Sequence, residues 1–111
     1  MIGKLNEKEE KAIKEFKQGL INVFGDRIKN ILLYGSKAKG GFTKESDIDI
    51  FVLIDKEDYK IRDKIVNLAY DYLLKYGVLI SPRVINIEEY KQLDRWETAF
   101  VKNLKNEGIV L

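Results

Sequence analysis

The sequence contains no cysteine and no histidine. Without Cys there are no disulfides, no thiolate metal sites and no Cys nucleophile, and the chain is compatible with a reducing compartment. Without His, Ser–His triads, imidazole general bases and the usual zinc ligand sets are gone. Catalysis, if there is any, rests on carboxylates, hydroxyls, amines and a hard metal ion. There is also no surplus of one charge: 20 Lys and Arg face 18 Asp and Glu, a net +2. A protein that grips nucleic acid by charge alone carries a larger basic excess, so any polynucleotide affinity must be local. No run approaches the roughly 20 apolar residues of a membrane span. The opening MIGKLNEKEEK is charged where a signal peptide is apolar. A soluble, cytoplasmic protein with no membrane partner is expected.

What is present is a globular composition, with 45% hydrophobic residues, five Phe, six Tyr and one Trp across 111 residues. That length suits one domain over residues 1–111, large enough for a single core.

Asn6 followed by Glu9 resembles an N-cap with its capping-box partner. Ala12, Ile13, Phe16, Leu20, Val23 and Phe24 then recur near the helical period. The spacing predicts a helix over 7–24, stopped by Gly25. Residues 28–34 are short, branched and aromatic, and read as a buried strand delivering the chain to Gly35-Ser36. The stretch KAKGGFTKES at 37–46 reads as a polar loop carrying about one helical turn. DIDIFVLI at 47–54 reads as a second strand. Residues 57–75 place Ile61, Ile65, Leu68, Ala69, Tyr72 and Leu73 at helical spacing, with Gly77 as the stop. Residues 78–87 are β-rich but contain Pro82, the only proline, whose missing N–H predicts an edge strand. Residues 88–93 and 95–106 look helical, with Trp96, Phe100, Val101 and Leu104 on one stripe, before Gly108 and a short apolar tail. The order α-β-β-α-β-α predicts an α/β domain.

Chemistry concentrates in LYGSKAKGGFTKESDIDIFVL, residues 33–53. Asp47 and Asp49 are two apart in a strand, so their side chains leave one face with Cα atoms roughly 6–7 Å apart, while Ile48, Ile50, Val52 and Ile54 take the other. Two like charges at the start of an apolar strand repel each other, and a divalent cation would neutralise both. Carboxylates are hard ligands suited to Mg²⁺ or Mn²⁺, and magnesium commonly takes one or two of them plus water and substrate phosphates. Upstream, Gly35 lets backbone approach a phosphate, Ser36 offers a hydroxyl and an N–H, and Lys37 and Lys39 offer positive charge. Each feature alone is ordinary: a lone Gly-Ser is a turn, a lone Asp-X-Asp a solvated strand end, a single Lys surface charge. Their combination is what carries meaning. An EF-hand fits poorly, because Phe51 stands where a third oxygen ligand belongs.

Gly35-Ser36, Gly40 and Ser46-Asp47-Ile48-Asp49 resemble the GS…SDxD signature of the DNA polymerase β-like nucleotidyltransferase superfamily. GSKAKG…SDIDIFV and the closing KNLKNEGIVL are especially similar to its minimal nucleotidyltransferases, so the resemblance covers essentially the whole chain. It implies an α/β fold with a small mixed β-sheet flanked by helices. It further implies an NTP site, with ATP the favoured nucleotide, in which Gly35, Ser36, Lys39 and Ser46 bind the nucleotide while Asp47 and Asp49 are the catalytic, magnesium-binding pair. The implied reaction transfers a nucleoside monophosphate to a protein or RNA hydroxyl and releases pyrophosphate. The resemblance also implies pairing with a helical HEPN-family protein, in some members as the antitoxin that modifies it.

The resemblance has one departure. Active members carry a third carboxylate on a neighbouring strand, and the matching stretch here, LISPRVI at 79–85, places Ser81 in that position. A serine does not replace a formal charge, and loss of that ligand is expected to weaken or remove catalysis while still allowing nucleotide and first-metal binding. Glu45, Asp55, Glu88 and Glu89 are the candidates to replace it. Two readings therefore stand: a transferase, or a nucleotide-binding subunit that acts by holding a partner. So short a chain lacks the extra domains that grip a polynucleotide, and the acceptor must be held by a partner or by a second copy.

Overall fold

In the computed structural model, which describes residues 5–35 and 47–111, the first helix, α1 (Glu7–Phe24), begins with a complete capping box. The Asn6 side chain accepts from the Glu9 N–H at 2.8 Å and the Glu9 carboxylate accepts from the Asn6 N–H at 3.0 Å. Two otherwise orphaned donors are thereby satisfied, and the acidic first turn complements the helix dipole. Gly25 ends the helix with φ +54°, and a single 3-10 turn, Gly25–Arg27, leads into β1 (Ile28–Tyr34). After residues outside the described set come β2 (Ile48–Ile54), α2 (Tyr59–Tyr76), β3 (Ile80–Asn86), α3 (Ile87–Arg95), α4 (Ala99–Glu107) and the two-residue β4 (Ile109–Val110).

The four strands form one sheet in the order β3-β2-β1-β4. β1 runs antiparallel to both β2 and β4, and β2 runs parallel to β3. This is the mixed sheet expected from the resemblance. Returning parallel to β2 requires a crossover, which α2 provides. Asp58 caps α2 through the Lys60 and Ile61 N–H groups, and Gly77 closes it in the left-handed region at φ +69°.

Two cores lie on opposite faces of the sheet. On the first, Ile31, Leu33, Ile48, Ile50, Val52 and Ile54 pack against Ala12, Ile13, Phe16 and Leu20 of α1 and Ile61, Ile65 and Ala69 of α2. Each fully buried aliphatic or aromatic side chain here is worth about 1.5–3 kcal/mol against exposure. On the second, Phe51, Ile85 and Leu104 are buried with Leu53, Tyr90, Leu93 and Phe100 packed around them. This smaller core is roofed by α3 and α4, and it reaches only as far up β2 as Phe51. Asp49 is half-buried and Asp47 exposed, so the start of β2 emerges from beneath the roof. Among the described residues, that difference in cover leaves one end of the second face open.

Arg27 fastens the opposite end of β2. Its Nε donates to Asp55 and one Nη to Asp58, each at 3.0 Å, tying the strand's exit to the α2 cap. The Asp58 carboxyl is held below its usual range chiefly by that Arg27 hydrogen bond.

The ends of α1, β1 and α2, and the edge position of β3, agree with the sequence reading to within two residues. Two features differ. Trp96 is not on the buried stripe of a helix; it lies in the turn between α3 and α4 and is 67% exposed. There Glu97 takes φ +51° and Thr98 restarts the helix by capping Val101. The apolar tail is not a loose end either: Ile109 and Val110 add a strand beside β1. Two residues carry too little periodicity for a strand to be read from sequence.

Candidate active site

The open end is built by register. Tyr34 of β1 sits opposite Asp49 of β2, and Asp49 sits beside Ser81 of β3, so Tyr34, Asp49 and Ser81 form one row across three strands on the second face. Asp47, two residues before Asp49, adds a carboxylate at the rim. The next row down contains Leu32, Phe51 and Arg83. Ile48 and Ile50 face the first core and are buried, as the alternation requires.

Partial burial pushes the Asp49 carboxyl above its usual range, and the neighbouring charge of Asp47 pushes it further. Both causes disfavour the anion, and among the described residues no hydrogen bond or ion pair relieves it. A pair of hard oxygen donors on one face, one of them without a compensating group among the described residues, fits a single divalent cation of the magnesium class. Tyr34 is pushed up by its own burial and by Asp49, against the opposing influence of Arg83. The phenol thus lies within reach of both charges.

Gly35 follows β1 with φ +76°, and a Cβ there would come within 2.5 Å of an Asp49 carboxylate oxygen. The sequence reading has Gly35 let backbone approach a phosphate; its positive φ is one that glycine adopts easily, and the space beside its Cα is taken by the Asp49 carboxylate. Ser36, Lys37, Lys39, Gly40, Glu45 and Ser46 lie outside the described residues.

Ser81 stands where the sequence reading put it, beside Asp49 on the same face and exposed. The candidate replacements for a third carboxylate fare less well. Asp55 is at the far end of β2 and is engaged by Arg27. Glu88 and Glu89 lie beyond the far end of β3, on α3, with Glu89 3.6 Å from Arg62. Among the described residues no group of three acidic side chains is placed to hold a metal ion.

Two clefts flank the row. One of about 290 Å³ is lined by Asp47, Ser81, Pro82, Leu79, Val66 and Tyr70. The other, of about 690 Å³, is lined by residues including Tyr34, Ser81, Arg83, Arg62, Glu57 and Glu89. Sequence reasoning passed over Tyr34 and Arg83. Both were accessible in principle: Arg83 shares parity with Ser81 on β3, and Tyr34 is the last residue of a strand that turns back antiparallel.

Residues 9–111 match the model of a family described as the nucleotidyltransferase domain. The chain belongs to that family. A Methanocaldococcus jannaschii protein named as a protein adenylyltransferase is 43% identical over 103 residues, covering 93% of this chain and 97% of the relative. A crystal structure of a Sulfolobus solfataricus protein described as a nucleotidyltransferase shares the fold, with a TM-score of 0.57 at 16% identity over 99% of this chain and 90% of that one. A toxin–antitoxin structure with AMP-PNP shares it too, with a TM-score of 0.54 at 21% identity over 91% of this chain and 70% of that one. Among the described residues of this nucleotidyltransferase, no helix is long and apolar enough to cross a membrane.

Proposed function

We propose that this nucleotidyltransferase transfers AMP from ATP, with Mg²⁺ or Mn²⁺, to a hydroxyl on a partner protein. The observation that carries the reading is the carboxylate pair Asp47 and Asp49, set on one face at the end of the sheet that the described residues leave uncovered, with Asp47 lining a cleft of about 290 Å³. Asp47 and Asp49 would hold the ion. When bound, it supplies charge neutralisation and polarisation of phosphate oxygens, chemistry that needs no His. Gly35 brings the end of β1 hard against Asp49 and so fixes that carboxylate's direction. Phe51, buried in the row beneath, anchors the strand that carries the pair. Tyr34 and Ser81 flank Asp49 and form the walls between which a phosphate would lie.

The relative's name as a protein adenylyltransferase supports ATP as donor and a protein as acceptor, and the toxin–antitoxin neighbour with AMP-PNP supports a nucleotide-bound complex with a partner. A HEPN-family toxin is the partner we favour, with this chain as its antitoxin; an RNA hydroxyl is the alternative acceptor. A second reading is favoured by Ser81: without a third carboxylate the chain binds nucleotide and holds the partner while turning over slowly. Incubation with α-labelled and γ-labelled ATP, Mg²⁺ and the copurifying partner separates these readings. Label reaching the partner from the α position alone supports transfer, copurification without transfer supports the binding subunit, and transfer from the γ position contradicts both.

A further inference from the structure

We propose that Arg83 binds the polyphosphate of the nucleotide from the β3 side of the site, an inference that rests on the metal–nucleotide reading of Asp47 and Asp49. Arg83 follows Ser81 by two residues on β3 and pairs in register with Phe51, which places it on the carboxylates' face one row below them. Its guanidinium carbon lies 4.4 Å from the centroid of the Phe100 ring. That ring is itself fixed, edge-on to Tyr34 at 5.6 Å and tilted against Phe51 at 6.0 Å. The stack holds the guanidinium in place, so little side-chain freedom remains to be lost on binding.

The neighbouring cation in the same cleft behaves differently. Arg62 is engaged by Glu57, by the Val84 carbonyl oxygen and, at 3.6 Å, by Glu89. Arg83 has no ion pair among the described residues, although the chain carries 18 carboxylates. Ser81 and Ile85, the neighbours on its strand that face the same way, bring no charge. A stacked guanidinium with no ion pair among the described residues thus shares an open cleft of about 690 Å³ with Tyr34 and Ser81, the residues on either side of Asp49. The ligand complementary to both features is an anion that brings its own cation. The carboxylates take the metal, and the fork of the guanidinium takes non-bridging phosphate oxygens in bidentate fashion. A role confined to covering Phe100 would need the arginine's stem and not its charge.

The test is calorimetric binding of Mg·ATP and of Mg·tripolyphosphate to wild type, Arg83→Met and Arg83→Lys, with melting temperatures recorded for each. Arg83→Met keeps an apolar stem on Phe100 and removes the charge; loss of a charge-assisted hydrogen bond weakens both ligands by about tenfold or more. Arg83→Lys recovers part of that loss, and both variants melt close to wild type. Affinities of both variants within about twofold of wild type overturn the proposal. If Asp47→Asn with Asp49→Asn abolishes binding while Arg83→Met does not, the metal–nucleotide reading stands and Arg83 alone is misassigned. If wild type binds neither ligand, the reading beneath it fails as well.

Discussion

Asp49→Asn should make the metal-free protein more stable, because the site keeps two like charges together and, among the described residues, no group compensates them. Carboxylates two residues apart on one strand face are on the order of 7 Å apart, which corresponds to a repulsion of about 0.6 kcal/mol in water and about 2.4 kcal/mol at an effective dielectric of 20. Asp49 is half-buried and Asp47 exposed, so the screened end of that range applies, about 1 kcal/mol. For a chain of 111 residues that is a rise in melting temperature of roughly 4 °C. The pH dependence fixes the cause. Burial, then Asp47, raises the folded-state pKa of Asp49, so the wild-type stability contributed by this group is complete below the ordinary carboxylate value and is lost as pH climbs through the raised one. Asparagine has no such loss. The gain of the variant should therefore be near zero around pH 3 and complete by about pH 7. Thermal melts in EDTA across that range, paired with melts in Mg·ATP where the order of stability reverses, are the assay. A variant less stable than wild type at pH 7 in EDTA, or a difference independent of pH, would refute the electrostatic account.

Four further outcomes are expected. Gly35→Ala, with φ +76° and a Cβ aimed at Asp49, should cost about 1–3 kcal/mol and remove the Mg·ATP-induced rise in melting temperature. Gly77→Ala, at φ +69° with nothing within 4 Å, should show only a backbone cost of about 1 kcal/mol and keep that rise. Ser81→Asp places a third carboxylate beside Asp49 and should raise the rate of nucleotidyl transfer without improving nucleotide affinity; a slower variant from an already fast wild type would mean the site is completed elsewhere. Arg27→Met should lower the melting temperature at pH 7, by an amount that shrinks as pH falls through the depressed Asp58 value, because the stability this carboxylate contributes is present above its ordinary range and lost below it.

The helices were legible because their signals are local: Asn6 and Glu9 form a capping box with each other, and Gly25 and Gly77 end helices through their own backbone angles. The strands were legible because both faces of β2 are buried from Ile50 to Val52, which leaves an apolar run in the sequence. The common face of Asp47 and Asp49 followed from strand alternation, and the edge position of β3 from Pro82. What could not be read was non-local. The row Tyr34–Asp49–Ser81 depends on register across three strands, and the engagement of Arg62 but not Arg83 depends on where α2 and α3 set Glu57 and Glu89. The misplaced Trp96 shows the limit of periodicity: its spacing suits the stripe of Phe100 and Leu104, but Glu97 at positive φ breaks the helix between them.

The central claim, that Asp47 and Asp49 form a metal–nucleotide site, is tested most directly by titrating Mg·ATP into wild type and into Asp47→Asn with Asp49→Asn. The account predicts saturable, magnesium-dependent binding by wild type and none by a double variant that remains folded. Equal affinity of the two proteins would contradict it.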